Sequence, residues 1–123
     1  MLATGIDLIE IERIKSSMEN PRFCRMVLGP EEYRQLEARG FPPQSVAASF
    51  CAKEAFSKAL GCGIRGFALD EVELLREESG RPYLCLSGKA QDLAKAKNMQ
   101  FAVSVTHTKL YASAVVIGEE KSE

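Results

Sequence analysis

Residues 45–60 limit how this chain can fold more than any other segment does, because they predict a helix with very little surface for water. The segment is rich in alanine, and Gly61 is well placed to end the helix. Its small and apolar residues surround the helix axis: Ala47, Ala48, Phe50, Ala52, Ala55, Phe56 and Ala59. Such a helix must be covered by other elements. The three charged residues it retains, Lys53, Glu54 and Lys58, are therefore expected to have specific tasks.

The length and composition predict one globular domain spanning residues 1–123. A chain of 123 residues has the usual size of a single domain, and 46% apolar with 27% charged residues is an ordinary globular mixture. Sixteen basic against seventeen acidic residues give a net charge of −1, which disfavours nucleic-acid binding. No apolar run approaches the roughly 20 residues of a membrane span, and the basic start of a signal peptide is missing. We therefore predict a cytoplasmic protein without a membrane partner.

The four cysteines are expected to be reduced. They form no C-x-x-C pair, so a zinc site has little support. Without a secretory signal, disulfides are also disfavoured. We interpret Cys24, Cys51, Cys62 and Cys85 as small buried hydrophobic residues.

The order of periodic segments predicts an α+β fold, with a small antiparallel sheet packed with helices. Apolar alternation predicts strands, and recurrence at three and four residues predicts helices. Predicted strands cover 2–8, 67–77, 83–86, 101–106 and 110–117, with a turn at 79–82. Predicted helices run from residue 10, over 21–28, from 30 to near 40, over 45–60 and over 89–97. One strand, several helices and then mostly hairpin-linked strands favour this class over a parallel α/β fold.

Charged residues within apolar segments are the first candidates for a functional site. Asp7 lies in an apolar strand, where a carboxylate needs a cation, a cluster of donors, a metal or a role as a helix cap. Glu54 and Lys58 have the favourable order for an ion pair one helical turn apart. That simple pair explains their spacing, whereas the buried character of the helix favours a functional role.

Two further features are weaker candidates. Three glycines in residues 61–66 would let backbone amides approach a ligand, although a helix end explains Gly61 equally well. His107 is the only histidine and follows a strand rich in hydroxyl groups, beside Lys109. A lone histidine is often structural, but these neighbours make an anion-binding role credible.

Five motifs together resemble the small bacterial members of the 4′-phosphopantetheinyl transferase superfamily. In order along the chain they are Gly5-Ile6-Asp7 followed by Arg13-Ile14, Phe50-Cys51-Ala52-Lys53-Glu54-Ala55-Phe56-Ser57-Lys58, Gly61-Cys62-Gly63-Ile64, Gly80-Arg81-Pro82-Tyr83, and Ser104-Val105-Thr106-His107-Thr108. The resemblance covers residues 4–117. Each motif alone is weak, but five in the order of the family are specific.

The resemblance implies the fold and reaction of that superfamily. Its members transfer the 4′-phosphopantetheine arm of coenzyme A to a serine of apo-acyl carrier protein, release adenosine 3′,5′-bisphosphate, and serve fatty acid biosynthesis. They require Mg²⁺, whose ligands correspond to Asp7 and Glu54. A hard cation held by one or two carboxylates, phosphate oxygens and water fits that assignment. The base that accepts the serine proton stays open between Glu54, a metal-activated water and His107.

The resemblance also implies binding residues and partners. Lys58 would contact the diphosphate, and it counts with Asp7 and Glu54 as catalytic. His107, with Thr106 and Thr108 nearby, would bind a phosphate of coenzyme A, and the resemblance favours the 3′-phosphate. Gly61, Gly63, Arg81 and Pro82 would help to hold the nucleotide. Arg13 and Arg22 would dock the acidic, helical carrier protein, whereas ordinary surface charge explains Arg25 and Lys15. The family forms homotrimers with sites at subunit interfaces.

Three positions depart from the family pattern. Ala48-Ser49 stand where many relatives have Gly-Arg, so an arginine that helps to bind phosphate must be replaced by another side chain, such as Arg65, or be lost. Cys62 replaces a hydroxyl residue in the glycine loop. Gly29 replaces a serine or threonine, which predicts a weaker cap for the following helix.

Two other functions compete with the transferase hypothesis. A non-catalytic module that binds coenzyme A or carrier protein would keep the fold but lose a metal ligand, and both carboxylates are present. A metal-dependent hydrolase of nucleotide diphosphates usually shows a denser cluster of carboxylates. We therefore favour the transferase.

Overall fold

The computed structural model describes residues 1–63 and 66–122, and these fold into two antiparallel sheets with five α-helices. The strands are β1 (Leu2–Glu10), β2 (Val72–Arg76), β3 (Pro82–Leu86), β4 (Met99–His107) and β5 (Tyr111–Glu120). The helices are α1 (Ile11–Ser17), α2 (Phe23–Val27), α3 (Pro30–Glu37), α4 (Pro43–Leu60) and α5 (Gly88–Ala96). The predicted α+β class with a small antiparallel sheet is confirmed.

The larger sheet places β5 between β1 and β4, and α4 lies across one face of it. Residues that pair across the three strands share a face, so Asp7, Ala114 and Val105 form one row toward the helix. The approach of α4 is closest at Gly5, where any β-carbon would collide with the carbonyl of Ala55. Glycine is therefore required at this position for the helix to reach the strand that carries Asp7.

The hydrophobic core is built around α4, as its sequence predicts. Twelve of its eighteen residues are buried. Phe56 packs edge-on against Phe67 and Phe101, with ring centroids 5.3 and 4.9 Å apart. Gly61 ends the helix with a φ of +82°. The ammonium of Lys97 donates to the carbonyl of Leu60 at 2.8 Å, which satisfies an acceptor in the last turn.

Lys53 and Glu32 form an ion pair inside this core. Both side chains are fully buried, and Lys53 Nζ lies 2.7 Å from Glu32 Oε1. Lys53 also donates to the carbonyl of Val72. Glu32 accepts from the backbone N–H groups of Gly29 at 3.0 Å and Leu74 at 2.9 Å. Burial lowers the pKa of Lys53, and the charge of Glu32 opposes that shift. The pair thus joins α4 to α3 and β2.

A second glutamate, Glu73 of β2, caps α3. Glu73 Oε1 accepts from the backbone N–H groups of Glu31 at 2.8 Å and Glu32 at 2.9 Å, two donors that lack partners inside the helix. A β-carbon on Gly29 would collide with the side chain of Glu73. The expectation of a weak cap at Gly29 is therefore wrong, because the missing side chain makes room for a cap from another element.

Several local predictions need correction. The helix predicted over 21–28 begins at Phe23, since Asn20 Oδ1 accepts from Arg22 N–H and holds a turn there. The strand predicted over 67–77 is confined to β2, because residues 69–71 form a 3₁₀ turn. Of the four cysteines predicted to be buried, only Cys51 is; Cys24 and Cys62 are half-buried, and Cys85 is exposed on β3. All four are free, as expected. Arg65, the suggested substitute for the missing arginine, and Ile64 of the glycine motif lie outside the described residues.

No helix within residues 1–63 and 66–122 combines the length and the apolar character needed to cross a membrane.

We predict that Glu32→Ala destabilises the protein by about 3–5 kcal/mol, because it leaves the ammonium of Lys53 buried without its partner. The measurement is urea-induced unfolding at neutral pH. Glu31→Ala, at the neighbouring and partly exposed position, is the matched control and should cost about 0–1 kcal/mol. If Glu32→Ala does not fold, the double variant Glu32→Leu with Lys53→Met should recover a folded protein. Equal losses for the two single variants would contradict the role of the pair.

Candidate functional site

A shallow cleft between β1 and α4 brings together four of the residues singled out from the sequence. Its volume is about 410 Å³, and its walls include Asp7, Glu54, Lys58 and Arg13. Asp7 lies on the face of β1 that is covered by α4, whereas Glu54 and Lys58 lie one turn apart on that helix. Glu54 and Lys58 follow Asp7 by 47 and 51 residues in the sequence. Only the packing of α4 on β1 places the three side chains in one cleft.

Lys58 contacts β1 rather than its neighbour on the helix. Its Nζ lies 3.5 Å from Asp7 Oδ1 and donates to the carbonyl of Ile6 at 2.9 Å. The ion pair between Glu54 and Lys58 suggested by their spacing is thus replaced by one between Asp7 and Lys58. Asp7 does not cap α1 either, since that helix begins after Glu10 with no side-chain cap. The buried character of α4 predicted a specific role for Glu54 and Lys58, and it was a better guide than their spacing, which predicted only an ion pair between them.

The electrostatics of the cleft favour a cation. Burial and the negative charge of Asp7 raise the pKa of Glu54, and the nearby ammonium of Lys58 lowers it. Two carboxylates that repel each other in this way are stabilised by a shared positive ion. Among residues 1–63 and 66–122, no group of three or more histidine, cysteine, aspartate or glutamate side chains could hold a metal. A cation here would complete its shell with ligand oxygens and water, as Mg²⁺ commonly does.

Cys51 lies close to Asp7 and Glu54 of this cleft, and its thiol is unreactive. Its Sγ is 3.5 Å from the carbonyl of Ala112, and the residue is fully buried. Burial, with a smaller contribution from the charge of Asp7, raises the pKa of the Cys51 thiol to about 12. The group therefore stays protonated at neutral pH and serves packing, as expected for a buried cysteine.

His107 lies at a second cleft. A cavity of about 630 Å³ is bordered by Thr106 and His107 at the end of β4, by Ser45 and Ala48 of α4, and by two arginines, Arg39 and Arg76. Successive helical residues are rotated by about 100°, so Ala48 and Glu54 point to different sides of α4. Within one chain, the cleft of Asp7 and the cleft of His107 are therefore separate, although the sequence assigned both to one site.

The remaining candidates line neither cleft within the part of the chain described here. Gly61 and Gly63, with φ values of +82° and +71°, lie at the end of α4. Arg81 and Pro82 follow Gly80, which borders the cavity of His107. Arg22 precedes α2 and is exposed. The two arginines beside His107 were missed from the sequence, because neither belongs to a recognised motif.

Comparisons with known proteins agree on one family. The sequence model of the 4′-phosphopantetheinyl transferase superfamily matches residues 3–112. The holo-[acyl-carrier-protein] synthase of Alkaliphilus metalliredigens is 42% identical over 115 residues, which cover 92% of this chain and 94% of that protein.

Solved structures of such synthases share the fold. The coenzyme A complex of the enzyme from Chronobacterium ammoniagenes superposes with a TM-score of 0.85 at 27% identity and covers 99% of both chains. The holo-[acyl-carrier-protein] synthase of Neisseria meningitidis gives a TM-score of 0.89 at 25% identity over 96% of this chain and 98% of that one.

Proposed function

Because the chain belongs to the 4′-phosphopantetheinyl transferase superfamily, we propose that it transfers the 4′-phosphopantetheine arm of coenzyme A to a serine of apo-acyl carrier protein. This is the reaction of a holo-[acyl-carrier-protein] synthase, and it releases adenosine 3′,5′-bisphosphate. The observation that carries the residue assignment is the cleft in which α4 sets Glu54 and Lys58 against Asp7 of β1. We assign the activity to a single domain of residues 1–123 that works in the cytoplasm, where its four free thiols would stay reduced.

The cleft suits transfer of a phosphoryl group that bears the pantetheine arm. Asp7 and Glu54 would hold Mg²⁺, which supplies charge neutralisation at the diphosphate when it is bound. The serine oxygen forms a bond to the phosphorus that carries pantetheine, and the bond from that phosphorus to the bridging oxygen of the diphosphate breaks, so that adenosine 3′,5′-bisphosphate leaves with the electron pair. The serine proton would pass to Glu54, to a water or to His107, the three acceptors that the sequence leaves open. Lys58 Nζ, which is half exposed, can reach the phosphate that leaves with the nucleotide. Positioning and electrostatic stabilisation supply most of the catalysis in such reactions.

Asp7→Asn and Glu54→Gln should each reduce transfer at least about 100-fold, because each removes a ligand of the cation that stabilises the leaving phosphate. Intact-mass spectrometry of apo-acyl carrier protein, incubated with coenzyme A and Mg²⁺ and with EDTA as a control, measures the gain of one phosphopantetheine. Asp92→Asn, an exposed carboxylate change on α5, should leave the rate unchanged. Protection by Mg²⁺ against thermal unfolding should also be lost in both cleft variants.

The results would separate the competing functions. Normal transfer by either cleft variant would contradict the assignment of metal ligands. No transfer by the unmodified protein to several carrier proteins, with coenzyme A still bound, would favour the non-catalytic binding module. Release of nucleotide without modification of the carrier protein would favour the hydrolase.

Arg13 is proposed to bind the carrier protein. It lies on α1 at the rim of the cleft and is exposed, as is Arg22 before α2. An exposed arginine beside the reacting groups can attract an acidic partner and orient its serine toward the cleft. The Arg25 guanidinium lies 5.1 Å from the ring centroid of Tyr33, which explains that residue without a partner.

Arg13→Ala should raise the KM for carrier protein roughly five- to tenfold and change the KM for coenzyme A little, since the lost contact is with the protein substrate. Steady-state kinetics with each substrate varied in turn measures both constants. Lys15→Ala removes a charge from the same helix and serves as the control. Equal increases of the two constants in Arg13→Ala would count against docking.

We propose a homotrimer, with each active site shared between two copies. The face of the larger sheet that points away from α4 carries apolar side chains in the open: Leu2 is 70%, Ile6 and Leu8 64%, and Ile117 39% exposed. An exposed apolar face of this kind is typical of a protein interface. The separation of the Asp7 and His107 clefts within one chain has a simple explanation if they meet between neighbouring copies.

Subunit mixing tests the shared site. Asp7→Asn and His107→Ala subunits, each impaired alone, should regain about a quarter of the wild-type activity when they are co-assembled, because that fraction of interfaces joins two intact clefts. Asp7→Asn mixed with Glu54→Gln should regain nothing, since both changes affect the same cleft. Absence of recovery in the first mixture, after mixed assemblies are verified by mass spectrometry, would contradict a site built from two copies.

A further inference from the structure

The ammonium of Lys58 lies against a carboxylate that a divalent cation in the same cleft would also use. Lys58 Nζ is 3.5 Å from Asp7 Oδ1. Asp7, Glu54 and Lys58 border one cleft, so a cation shared by the two carboxylates would lie close to this ammonium. Two positive charges beside one carboxylate repel each other. Lys58 therefore competes with the cation as long as it is paired with Asp7.

One ammonium balances two carboxylates in this cleft. Among the ion pairs within residues 1–63 and 66–122, Lys58 is the partner of Asp7, and Glu54 takes part in none. The charge of Lys58 still acts on Glu54, since it opposes the rise of the Glu54 pKa that burial and Asp7 cause. Removal of the ammonium would leave both carboxylates uncompensated, and the cleft would attract a cation more strongly.

Asp7 is the fixed member of the ion pair. Its carbonyl accepts from the hydroxyl of Ser113 at 2.8 Å, and β1 pairs with β5 along its whole length. The helix α4 comes closest to β1 at Gly5, only two residues before Asp7. The Asp7 side chain is short and only 19% exposed. It is therefore held where it is and cannot follow a partner that moves.

Lys58 is the member that can change partner. Its side chain is 55% exposed, and its ammonium sits on a flexible stem with rotatable donors. Its second contact is a hydrogen bond of 2.9 Å to the carbonyl of Ile6, which lies on an edge strand where water can replace it. A charge-assisted hydrogen bond to a phosphate oxygen can therefore replace the pair with Asp7.

We propose that Lys58 makes the cleft select Mg²⁺ that is bound together with a diphosphate over Mg²⁺ alone. While it is paired with Asp7, the ammonium opposes the cation. When the diphosphate of coenzyme A binds, the ammonium turns to a phosphate oxygen, and the Asp7 carboxylate becomes available to the cation. The inference rests on the proposed function for the identity of the diphosphate. Because linkage is reciprocal, Mg²⁺ and coenzyme A strengthen each other's binding by the same factor.

The test is the affinity for Mg²⁺ without coenzyme A, measured by calorimetric titration of the protein with MgCl₂. Lys58→Met should bind Mg²⁺ roughly tenfold more tightly than the unmodified protein, because the opposing charge is gone. Lys58→Arg retains the charge and should gain no affinity. Lys15→Met, which removes an exposed lysine from α1, is the matched control and should leave the affinity unchanged. Thermal unfolding verifies that the variants are folded.

A second measurement is the factor by which saturating coenzyme A tightens the binding of Mg²⁺. Direct contact between the cation and phosphate oxygens contributes to this factor in every variant. The contribution of Lys58 should be missing from Lys58→Met, so its factor should be roughly tenfold smaller than that of the unmodified protein. Titration with coenzyme A, with and without MgCl₂, must give the same factor for each protein.

An Mg²⁺ affinity of Lys58→Met that equals or falls below that of the unmodified protein would overturn the inference, because a lysine that only contacts the diphosphate does not affect the cation alone. No measurable binding of MgCl₂ to Lys58→Met, or an equal gain in Lys15→Met, would also contradict it. Normal transfer by the unmodified protein would leave the proposed function intact in each of these cases. The expected gain in Lys58→Met would support the inference even if the unmodified protein transferred nothing, which would refute only the proposed function.

Discussion

The buried ion pair between Lys53 and Glu32 fixes the helix on which the rest of the structure depends. Two charges removed from water are costly, and they are tolerated because three further hydrogen bonds to Val72, Gly29 and Leu74 complete their shells. Those bonds come from β2 and from the start of α3, so α4 cannot rotate about its axis without breaking them. The next residue, Glu54, points about 100° away, toward β1. One buried contact thus sets the direction of a carboxylate in the cleft.

The position of α4 also explains why the chain has two clefts. On one side, Gly5 permits the helix to approach β1 so closely that Glu54 and Lys58 share a space with Asp7. On the other side, small residues at positions 48 and 49 leave room between the helix, β4 and the arginines. The cleft of Asp7 contains two carboxylates and a lysine, which suit a cation and a diphosphate. The cleft of His107 is bordered by two arginines and is positively charged.

Sequence reasoning succeeded where the signal was local or was carried by a motif. The end of α4, the αL residue Gly61 and the alternation in β4 follow from neighbours along the chain, whereas α4 begins two residues before the predicted start. The motif also selected Asp7, Glu54 and Lys58, which lie together. It failed where a distant residue decides the outcome. Glu73 caps α3 from 42 residues away, and exposure of Cys85 depends on how β3 packs. Neither the cap from Glu73 nor the exposure of Cys85 can be predicted from the periodicity of apolar residues.

The amino-acid sequence by itself determined the fold class, the buried helix and the family, because these depend on periodicity, composition and short ordered motifs. Only the tertiary structure decided which charges meet. It paired Lys58 with Asp7 instead of Glu54, used Lys53 to anchor the helix, and brought Arg39 and Arg76 beside His107. Spacing along a helix shows which groups could interact, whereas the lowest free energy is reached with partners on other elements. Those partners become neighbours only when the core closes around α4.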